Sequence, residues 1–350
     1  MGPIKKNKLE IGSGKPTFVI AEIGSNYNKN LETAKKMIDI AKDAGVDAVK
    51  FQLFKEKRLY PDNAGTVDYL MSSISINELV KKAEVKNEIH KELKDYCDRK
   101  GVMYLCTPTD EESADFLEKL GVVAFKVASY ALTHLRLLRH LAKKNKPIFL
   151  STGASHMHEV AEAIMTIRAE GNDNIYLLQC VAQYPADIQA TNLKVIDVYK
   201  DAFNCPAGIS DHSLDPFVVP YAAVARGADI VEKHFTLDRN QDGPDHSFAV
   251  EPDELKKMVK GIRMVEQAIG VGEKKVLSNE LELRNFTNRC VFAIKDIKGG
   301  ERITKDLIDI LRPGKKPRGL DAKYYDLVVN AVATDDISKG QAIKWKHIIR

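Results

Sequence analysis

Residues 17–52 read TFVIAEIGSNYNKNLETAKKMIDIAKDAGVDAVKFQ, and this stretch decides the fold. The apolar run Thr17–Gly24 is rich in β-branched residues and predicts a strand. In Leu31–Gly45 the apolar residues recur at helical spacing, and the segment ends on a glycine, as helices often do. A second apolar run, Val46–Gln52, follows directly. A strand, a helix and a strand in this order predict a βα unit with parallel strands.

The same alternation continues along the chain as far as Thr236. Eight apolar runs are predicted to be strands: Thr17–Gly24, Val46–Gln52, Val102–Pro108, Val122–Ser129, Pro147–Gly153, Ile175–Val181, Pro206–Asp211 and Ile230–Thr236. Helical patterns such as Met157–Gly171 lie between most of them, and a helix over Glu251–Ile269 follows the last. Eight such units in about 255 residues favour an α/β fold with a closed (β/α)8 TIM barrel, and an open doubly wound sheet is the alternative.

Composition excludes several classes of protein. Of the 350 residues, 44% are hydrophobic and 29% charged, which is the balance of an ordinary globular protein. No apolar run approaches the roughly 18 residues of a spanning helix, and the start MGPIKKNKLEIGSG has no signal-peptide apolar region. The five cysteines are scattered without CxxC spacing, so neither a disulfide framework nor a zinc site is expected. A cytoplasmic protein that does not bind a membrane is predicted.

The carboxyl-terminal part differs from the rest in charge and pattern. From Asn288 onward, 14 Lys and Arg stand against 8 Asp and Glu, whereas the preceding residues are nearly neutral. AIKDIKGGERITKDLI from Ala293 aligns with ATDDISKGQAIKWKHI from Ala333, an internal repeat that predicts two β-hairpin units in a small pseudo-symmetric domain. The predicted domains are therefore a barrel over 1–270, a linker over 271–287 and a β-rich domain over 288–350.

Polar side chains cluster at the predicted carboxyl ends of the strands, where active sites of such barrels lie. In strand order they are Glu22, Lys50 with Gln52, Thr107, Lys126 with Ser129, Ser151 with Thr152, Gln183 with Tyr184, Ser210 with His212, and Glu232 with His234. Taken singly, a strand-end lysine is usually a surface cation and a histidine usually a packing residue. Lining one lumen with Glu22, Lys50, Lys126, His212 and His234 would be costly unless a ligand paired with them, so a functional site is predicted.

These residue types predict the chemistry of the ligand. Two lysines with Ser and Thr hydroxyls suit the phosphate or carboxylate of a metabolite. His212 and His234, on adjacent strands, are candidate ligands of an exchangeable divalent metal, Mn²⁺ or Mg²⁺. Beyond the last strand, Asp245 and His246 lie on a Gly-Pro turn that is predicted to clamp the substrate. The basic run Lys315–Arg318 is interpreted as a solvated loop, and no nucleic-acid partner is expected.

Eight motifs occur in the order of a known family: AEIGSNYN, AVKFQ, CTP, FKVAS, STG, ISDHS, VEKHFT and GPDHSF. From about Phe18 to its end, the chain resembles the sialic acid synthases, which condense phosphoenolpyruvate with an N-acylated amino sugar. The tail resembles the antifreeze-like (SAF) domain of that family. The resemblance implies that Lys50, Thr107, Lys126, Ser129 and Ser210 hold phosphoenolpyruvate, and that His212 and His234 bind the metal.

The resemblance also implies an acceptor site. Glu22, Gln52, Tyr184 and Asp245 would hold the sugar, with Asn63 of the second-strand loop as a further contact. Arg312 of LRPG matches an arginine that family members insert into the partner subunit's site, which implies a domain-swapped homodimer. The implied catalytic residues are Glu22, Lys50, Lys126, His212 and His234.

Two departures from the family pattern concern the substrate. Ala182 replaces a residue that is commonly Asn or Ser, and the segment after Arg312, KKPRGLDAKYYD, is longer and more basic than usual. These departures leave the identity of the acceptor sugar open. The resemblance implies N-acetylmannosamine or, as in the legionaminic and pseudaminic acid synthases, a 2,4-diacetamido-trideoxyhexose. Synthases that use a phosphorylated aldose are less similar because they do not carry this tail. A non-catalytic barrel with an anion-binding basic tail is the alternative from a different class.

Overall fold

The computed structural model describes residues 9–12, 14–66 and 74–349. The prediction that the chain has no signal peptide rests on residues 1–14, and the first eight of these lie outside the described residues. Arg350, the last residue of the predicted β-rich domain, also lies outside them. The chain divides into two compact units, one ending at Gly270 and the other beginning at Val271. Among the described residues, no helix has both the length and the apolar character needed to cross a bilayer.

The first unit is built on eight parallel strands. They are β1 (Phe18–Gly24), β2 (Ala48–Leu53), β3 (Met103–Pro108), β4 (Phe125–Val127), β5 (Ile148–Ser151), β6 (Ile175–Cys180), β7 (Ala207–Asp211) and β8 (Ile230–His234). Their order is β3-β2-β1-β8-β7-β6-β5-β4, and β3 packs beside β4. The first and last strands pair in register, with Phe18 opposite Ile230 and Glu22 opposite His234. Because the two end strands of this order, β3 and β4, also pack side by side, the sheet curls into a nearly closed barrel, so the predicted TIM barrel is confirmed and the open sheet is excluded.

Helices connect the strands on the outside of the barrel. They are α1 (Leu31–Ala44), α2 (Glu56–Leu59), α3 (Ile76–Ala83), α4 (Asn87–Lys100), α5 (Glu111–Lys119), α6 (Leu135–Lys143), α7 (Met157–Ala169), α8 (Val195–Phe203), α9 (Val218–Ala225) and α10 (Pro252–Ile269). In α1, the Asn30 side chain accepts the amide of Thr33, and Gly45 ends the helix with a φ of 87° that favours glycine. The helices bury their apolar faces against the outward-pointing side chains of the strands.

The lumen changes from apolar to polar along the strands. Its amino-terminal half is filled by side chains that include Ile20, Ala48, Leu105, Ala124, Phe149, Leu178 and Ile230. Two residues further along the same strands stand Glu22, Lys50, Thr107, Lys126, Ser151, Cys180 and Glu232. Because side chains on one face of a strand recur every second residue, the polar set lies directly above the apolar floor.

The second unit contains the repeat. It has one helix, α11 (Leu281–Thr287), before the strands β9 (Cys290–Ala293) and β10 (Ile308–Leu311), then α12 (Tyr325–Val328), β11 (Val332–Ala333) and β12 (Ile348–Ile349). β9 pairs with β10 and β11 with β12, both antiparallel, as the repeat predicts. Ile297 and Ile337, which are equivalent in the two copies, exchange backbone hydrogen bonds of 2.9 and 2.8 Å. The unit therefore has a pseudo-twofold pattern, and α11 is a helix within the segment predicted to be a linker.

Candidate active site

A cavity of about 1620 Å³ opens at the carboxyl ends of the barrel strands. Eleven of the thirteen predicted site residues line it: Glu22, Lys50, Gln52, Thr107, Lys126, Ser129, Tyr184, Ser210, His212, His234 and Asp245. Asn63 is exposed and is not among the residues that line the cavity, and Arg312 is an exposed residue of the second unit. The barrel thus gathers side chains that are up to 223 positions apart in the chain.

Two buried ammonium groups converge on one carboxylate at the floor of the cavity. Lys50 Nζ donates to Glu232 Oε1 at 3.0 Å, and Lys126 Nζ lies 3.7 Å from the same oxygen. Ser210 Oγ donates to that oxygen as well, at 2.8 Å. Lys126 Nζ also donates to Ser151 Oγ at 2.6 Å. The side chains of Lys50, Lys126 and Glu232 are at most 7% exposed, so the floor is a desolvated charge cluster with one more cation than Glu232 neutralises.

The pKa values distinguish these three groups. Burial favours neutral Glu232, but the ammonium groups of Lys126 and Lys50 outweigh it and lower the pKa of Glu232 to about 2. Burial also opposes charge on Lys50, yet the carboxylates of Glu22 and Glu232 raise its pKa above the ordinary value. For Lys126, burial prevails and lowers the pKa to about 8. Lys50 and Glu232 therefore form a permanent ion pair, and Lys126 titrates just above neutral pH.

Hydroxyl groups surround the lysines. Ser129 Oγ accepts the amide of Gly153 at 2.9 Å and is held at the mouth of β4. Thr107 Oγ1 and Glu232 Oε2 are buried and have no hydrogen-bond partner among the described residues. Buried polar atoms of folded proteins are nearly always paired, so these two atoms indicate a ligand that binds against them.

Glu22, Gln52 and Asp245 form a second polar group beside Lys50. Gln52 Nε2 donates to Glu22 Oε1 at 2.6 Å, and Lys50 Nζ lies 3.5 Å from Glu22 Oε2. A Cβ at Gly24 would lie 3.3 Å from Asp245 Oδ2 and 3.3 Å from Glu22 Oε1, so both carboxyl groups come close to this glycine. Burial raises the pKa of Glu22 to about 7 and that of Asp245 to about 6. Both are suited to hold or transfer a proton near neutral pH.

His212 and His234 face each other with ring centroids 5.4 Å apart. His212 Nδ1 is 2.8 Å from the carbonyl oxygen of Val181, which only accepts, so Nδ1 carries the proton and Nε2 presents its lone pair. Burial lowers the pKa of His212 to about 4 and that of His234 well below its ordinary value, so both rings are neutral at pH 7. Tyr184 stacks on His212 with centroids 4.2 Å apart.

This pair fits a divalent metal. His234 Nδ1 is buried 3.8 Å from Asp245 Oδ2 and has no hydrogen-bond partner among the residues that the structure describes, and neutral imidazole is the form that ligates a metal. Among the residues described, no group of three or more His, Cys, Asp or Glu side chains is arranged to hold a metal. A metal at this pair would therefore keep positions open for water and substrate oxygens, as catalytic ions do.

The two remaining predicted residues lie on loops. Asn63 follows α2 and adopts a φ of 58°. Arg312 directly follows β10 in the second unit. In the basic segment after it, Lys316 Nζ donates to the carbonyl of Gly340 at 3.0 Å and Arg318 pairs with Asp321 at 2.6 Å. Two of the basic side chains in this segment thus bind other residues of the tail.

Comparison with known proteins identifies the family. A model of the NeuB family matches residues 37–274, and a model of the SAF domain matches residues 288–349. The chain belongs to the NeuB family. The predicted family, the barrel followed by an SAF domain, and an enzyme of the synthase class are therefore confirmed.

The relatives of this NeuB protein include synthases of different sugar acids. The spore coat polysaccharide biosynthesis protein SpsE of Bacillus subtilis is 42% identical over 97% of this chain and 95% of that protein. The SpsE crystal structure has a TM-score of 0.67 at 41% identity and covers 100% of this chain and 99% of its own. The N,N'-diacetyllegionaminic acid synthase of Legionella pneumophila is 37% identical over 96% of each chain. The N-acetylneuraminic acid (sialic acid) synthetase of Leptospira borgpetersenii serovar Hardjo-bovis, in complex with citrate, has a TM-score of 0.71 at 32% identity and covers 81% of this chain and 96% of its own.

Glu232 is the main residue of the NeuB site that the sequence-based prediction missed. Alternation with His234 had placed it on the lumen side, but its role as the shared partner of two lysines depends on contacts across the barrel. The neighbouring Lys233 points the other way and is bound by Asp211 Oδ2 at 2.6 Å and the Ser213 carbonyl at 2.6 Å. Ser151 was noted at its strand end and is now seen to hold Lys126.

Proposed function

We propose that this NeuB protein joins phosphoenolpyruvate to an N-acylated amino sugar in its open-chain aldehyde form, with water as the third reactant. C3 of phosphoenolpyruvate bonds to the aldehyde carbon, and the oxygen of water adds to C2. The bond from C2 to the phosphate oxygen then breaks and releases inorganic phosphate. With a six-carbon acceptor the product is a nine-carbon 2-keto acid, a nonulosonic acid.

The observation that carries this proposal is the pair of buried ammonium groups on one carboxylate, Lys50 and Lys126 on Glu232. An incoming phosphate and carboxylate bring further anionic oxygens to both lysines in a place that excludes water, where electrostatic stabilisation is strong. The hydroxyls of Thr107, Ser129 and Ser210 surround the same place and suit the remaining anionic oxygens. These five residues would hold phosphoenolpyruvate with C3 directed toward the mouth of the barrel.

Glu22 is proposed to handle the proton at the acceptor oxygen. Its pKa of about 7 leaves a substantial protonated fraction at neutral pH, and Gln52 donates to its carboxyl group and holds it beside Lys50. As the new bond forms, the aldehyde oxygen gains negative charge and the protonated carboxyl can donate to it. Asp245 and Tyr184 border the same space and would hold the sugar hydroxyls.

His212 and His234 would hold a divalent cation, Mn²⁺ or Mg²⁺. Such an ion, when bound, supplies Lewis-acid polarisation of the acceptor aldehyde. The contribution of this chain is to keep both rings neutral by burial and to fix the tautomer of His212 through the Val181 carbonyl.

A second acceptor is favoured by one observation. The legionaminic acid synthase matches 96% of this chain at 37% identity, whereas the sialic acid synthetase structure covers 81% at 32%. A 2,4-diacetamido-trideoxyhexose is therefore the second candidate beside N-acetylmannosamine. By its likeness to the family, Arg312 is proposed to contact the N-acyl group in the site of a partner subunit, within a domain-swapped homodimer.

The test is to incubate the protein with phosphoenolpyruvate, Mn²⁺ and each acceptor in turn. Released phosphate is measured and products are identified by mass spectrometry. We expect acceptor-dependent phosphate release and a nine-carbon 2-keto acid, lost in Lys126→Met but kept in the control Lys143→Met, whose side chain is 66% exposed. No release with any acceptor, together with no binding of phosphoenolpyruvate to folded, metal-loaded protein, would contradict the proposal and favour the non-catalytic barrel.

A further inference from the structure

His246 is a buried side chain in the loop that carries Asp245, and the reaction described above does not use it. The loop runs from the end of β8 at His234 to the start of α10 at Pro252. Asp245 points into the cavity, whereas His246 is 1% exposed and does not line it. These two adjacent residues therefore have different surroundings: Asp245 lines the cavity, and His246 is packed inside the protein.

The His246 ring has a defined partner. Its Nδ1 lies 2.7 Å from Thr236 Oγ1. Thr236 Oγ1 also lies 3.1 Å from the carbonyl oxygen of Asp238 and accepts the Asp238 amide at 3.2 Å. The tautomer of the His246 ring sets which partner donates in the bond between His246 and Thr236. The ring connects the centre of the loop to the residues that directly follow β8.

The backbone of the loop is folded onto the same ring. Gly243 has a φ of 154°, which L-residues rarely adopt, and a Cβ there would lie 2.6 Å from His246 Cδ2. On the other side of Asp245, the amide of Ala249 donates to the His246 carbonyl at 3.2 Å. Phe248 packs on the ring of His234, with centroids 5.0 Å apart. The loop is thus closed around His246, with Asp245 at its edge.

We propose that His246 is a positioning residue, which sets the Asp245 carboxylate where it holds the acceptor sugar. The inference rests on the proposed function, in which Asp245 binds the sugar. Asp245 keeps its place beside His234 and Gly24 because the adjacent ring is clamped between Thr236 and Gly243. Small displacements of a positioning group produce large losses in substrate use, so His246 governs the acceptor and leaves phosphoenolpyruvate on its lysines.

Steady-state kinetics of His246→Ala and His246→Asn test the proposal. Alanine removes the hydrogen bond to Thr236, whereas the asparagine amide, which carries both a donor and an acceptor, can place a polar atom close to the position of Nδ1. We expect His246→Ala to raise the KM for the acceptor about tenfold or more, with the KM for phosphoenolpyruvate within about twofold of wild type. His246→Asn should recover most of the acceptor affinity. Equal increases in both KM values, or an alanine variant with unchanged kinetics, would overturn the proposal.

Crystal structures of the variants supply a readout that needs no acceptor. In His246→Ala the Asp245 carboxylate should leave its position 3.8 Å from His234 Nδ1, and in His246→Asn it should stay. Gly243→Ala, which drives the loop away from the ring, should displace Asp245 as well and serves if the alanine variant does not fold. An unmoved Asp245 refutes the role of His246, whereas inactivity of the wild type with every acceptor refutes the proposed function instead.

Discussion

Replacing Glu232 with glutamine should destabilise the barrel by several kcal/mol, because two buried lysines share this carboxylate. Lys50 Nζ and Lys126 Nζ lie 3.0 and 3.7 Å from Glu232 Oε1. At an effective dielectric constant of about 20, each attraction is on the order of 5 kcal/mol. The net loss is smaller, since Lys126, with a pKa already lowered by burial to about 8, can release its proton. We expect a loss of about 3–5 kcal/mol, as for other buried ion pairs that lose one partner.

Urea unfolding at pH 7 measures the loss as a change in the free energy of unfolding. Glu32→Gln is a matched control, since its carboxylate lies 2.8 Å from Lys35 Nζ but its side chain is 80% exposed. The control should lose less than about 1 kcal/mol. Saturating inorganic phosphate should stabilise Glu232→Gln more than the wild type, because it supplies the missing anion. A loss no larger than that of the control would refute the reasoning.

Further predictions concern the remaining site residues. The affinity for phosphoenolpyruvate should fall above about pH 8, because the lowered pKa of Lys126 leaves this lysine charged only below that pH. Calorimetry from pH 7 to 9.5 measures this, and a constant affinity would contradict the assignment of Lys126. Turnover of the wild type should decline above about pH 7, because Glu22, whose pKa is raised, then loses the proton that it donates. The Glu22→Gln variant should have a lower rate that does not decline over this pH range. His212→Ala should abolish Mn²⁺ binding and metal-dependent turnover with an unchanged circular dichroism spectrum, and retained activity with bound metal would count against it. Arg312→Ala should raise the KM for the acceptor much more than that for phosphoenolpyruvate, and equal effects would argue against its insertion into a partner's site.

The site residues differ in how far the sequence alone could predict their roles. Lys50, Lys126, His212 and His234 were predicted because they stand at the ends of apolar runs, and strand ends meet at one mouth in a barrel. Alternation also gave the correct side for Glu232, yet nothing in the chain near it indicates that it serves lysines 182 and 106 positions away. Pairing across a lumen depends on which strands face each other and on side-chain length, and neither follows from local pattern.

By itself, the sequence determined the eight parallel strands, the repeat in the tail and the row of polar strand ends. Periodicity and apolar runs are local features of a sequence, and they indicate strands and helices because each backbone geometry repeats its side-chain directions at a fixed period. Only the tertiary structure decided that two lysines share one carboxylate, that Lys233 pairs with Asp211 and that His246 anchors the loop of Asp245. Those contacts join residues from separate elements, and their energies depend on burial and distance. The burial of these side chains and the distances between them are set only when the barrel has folded.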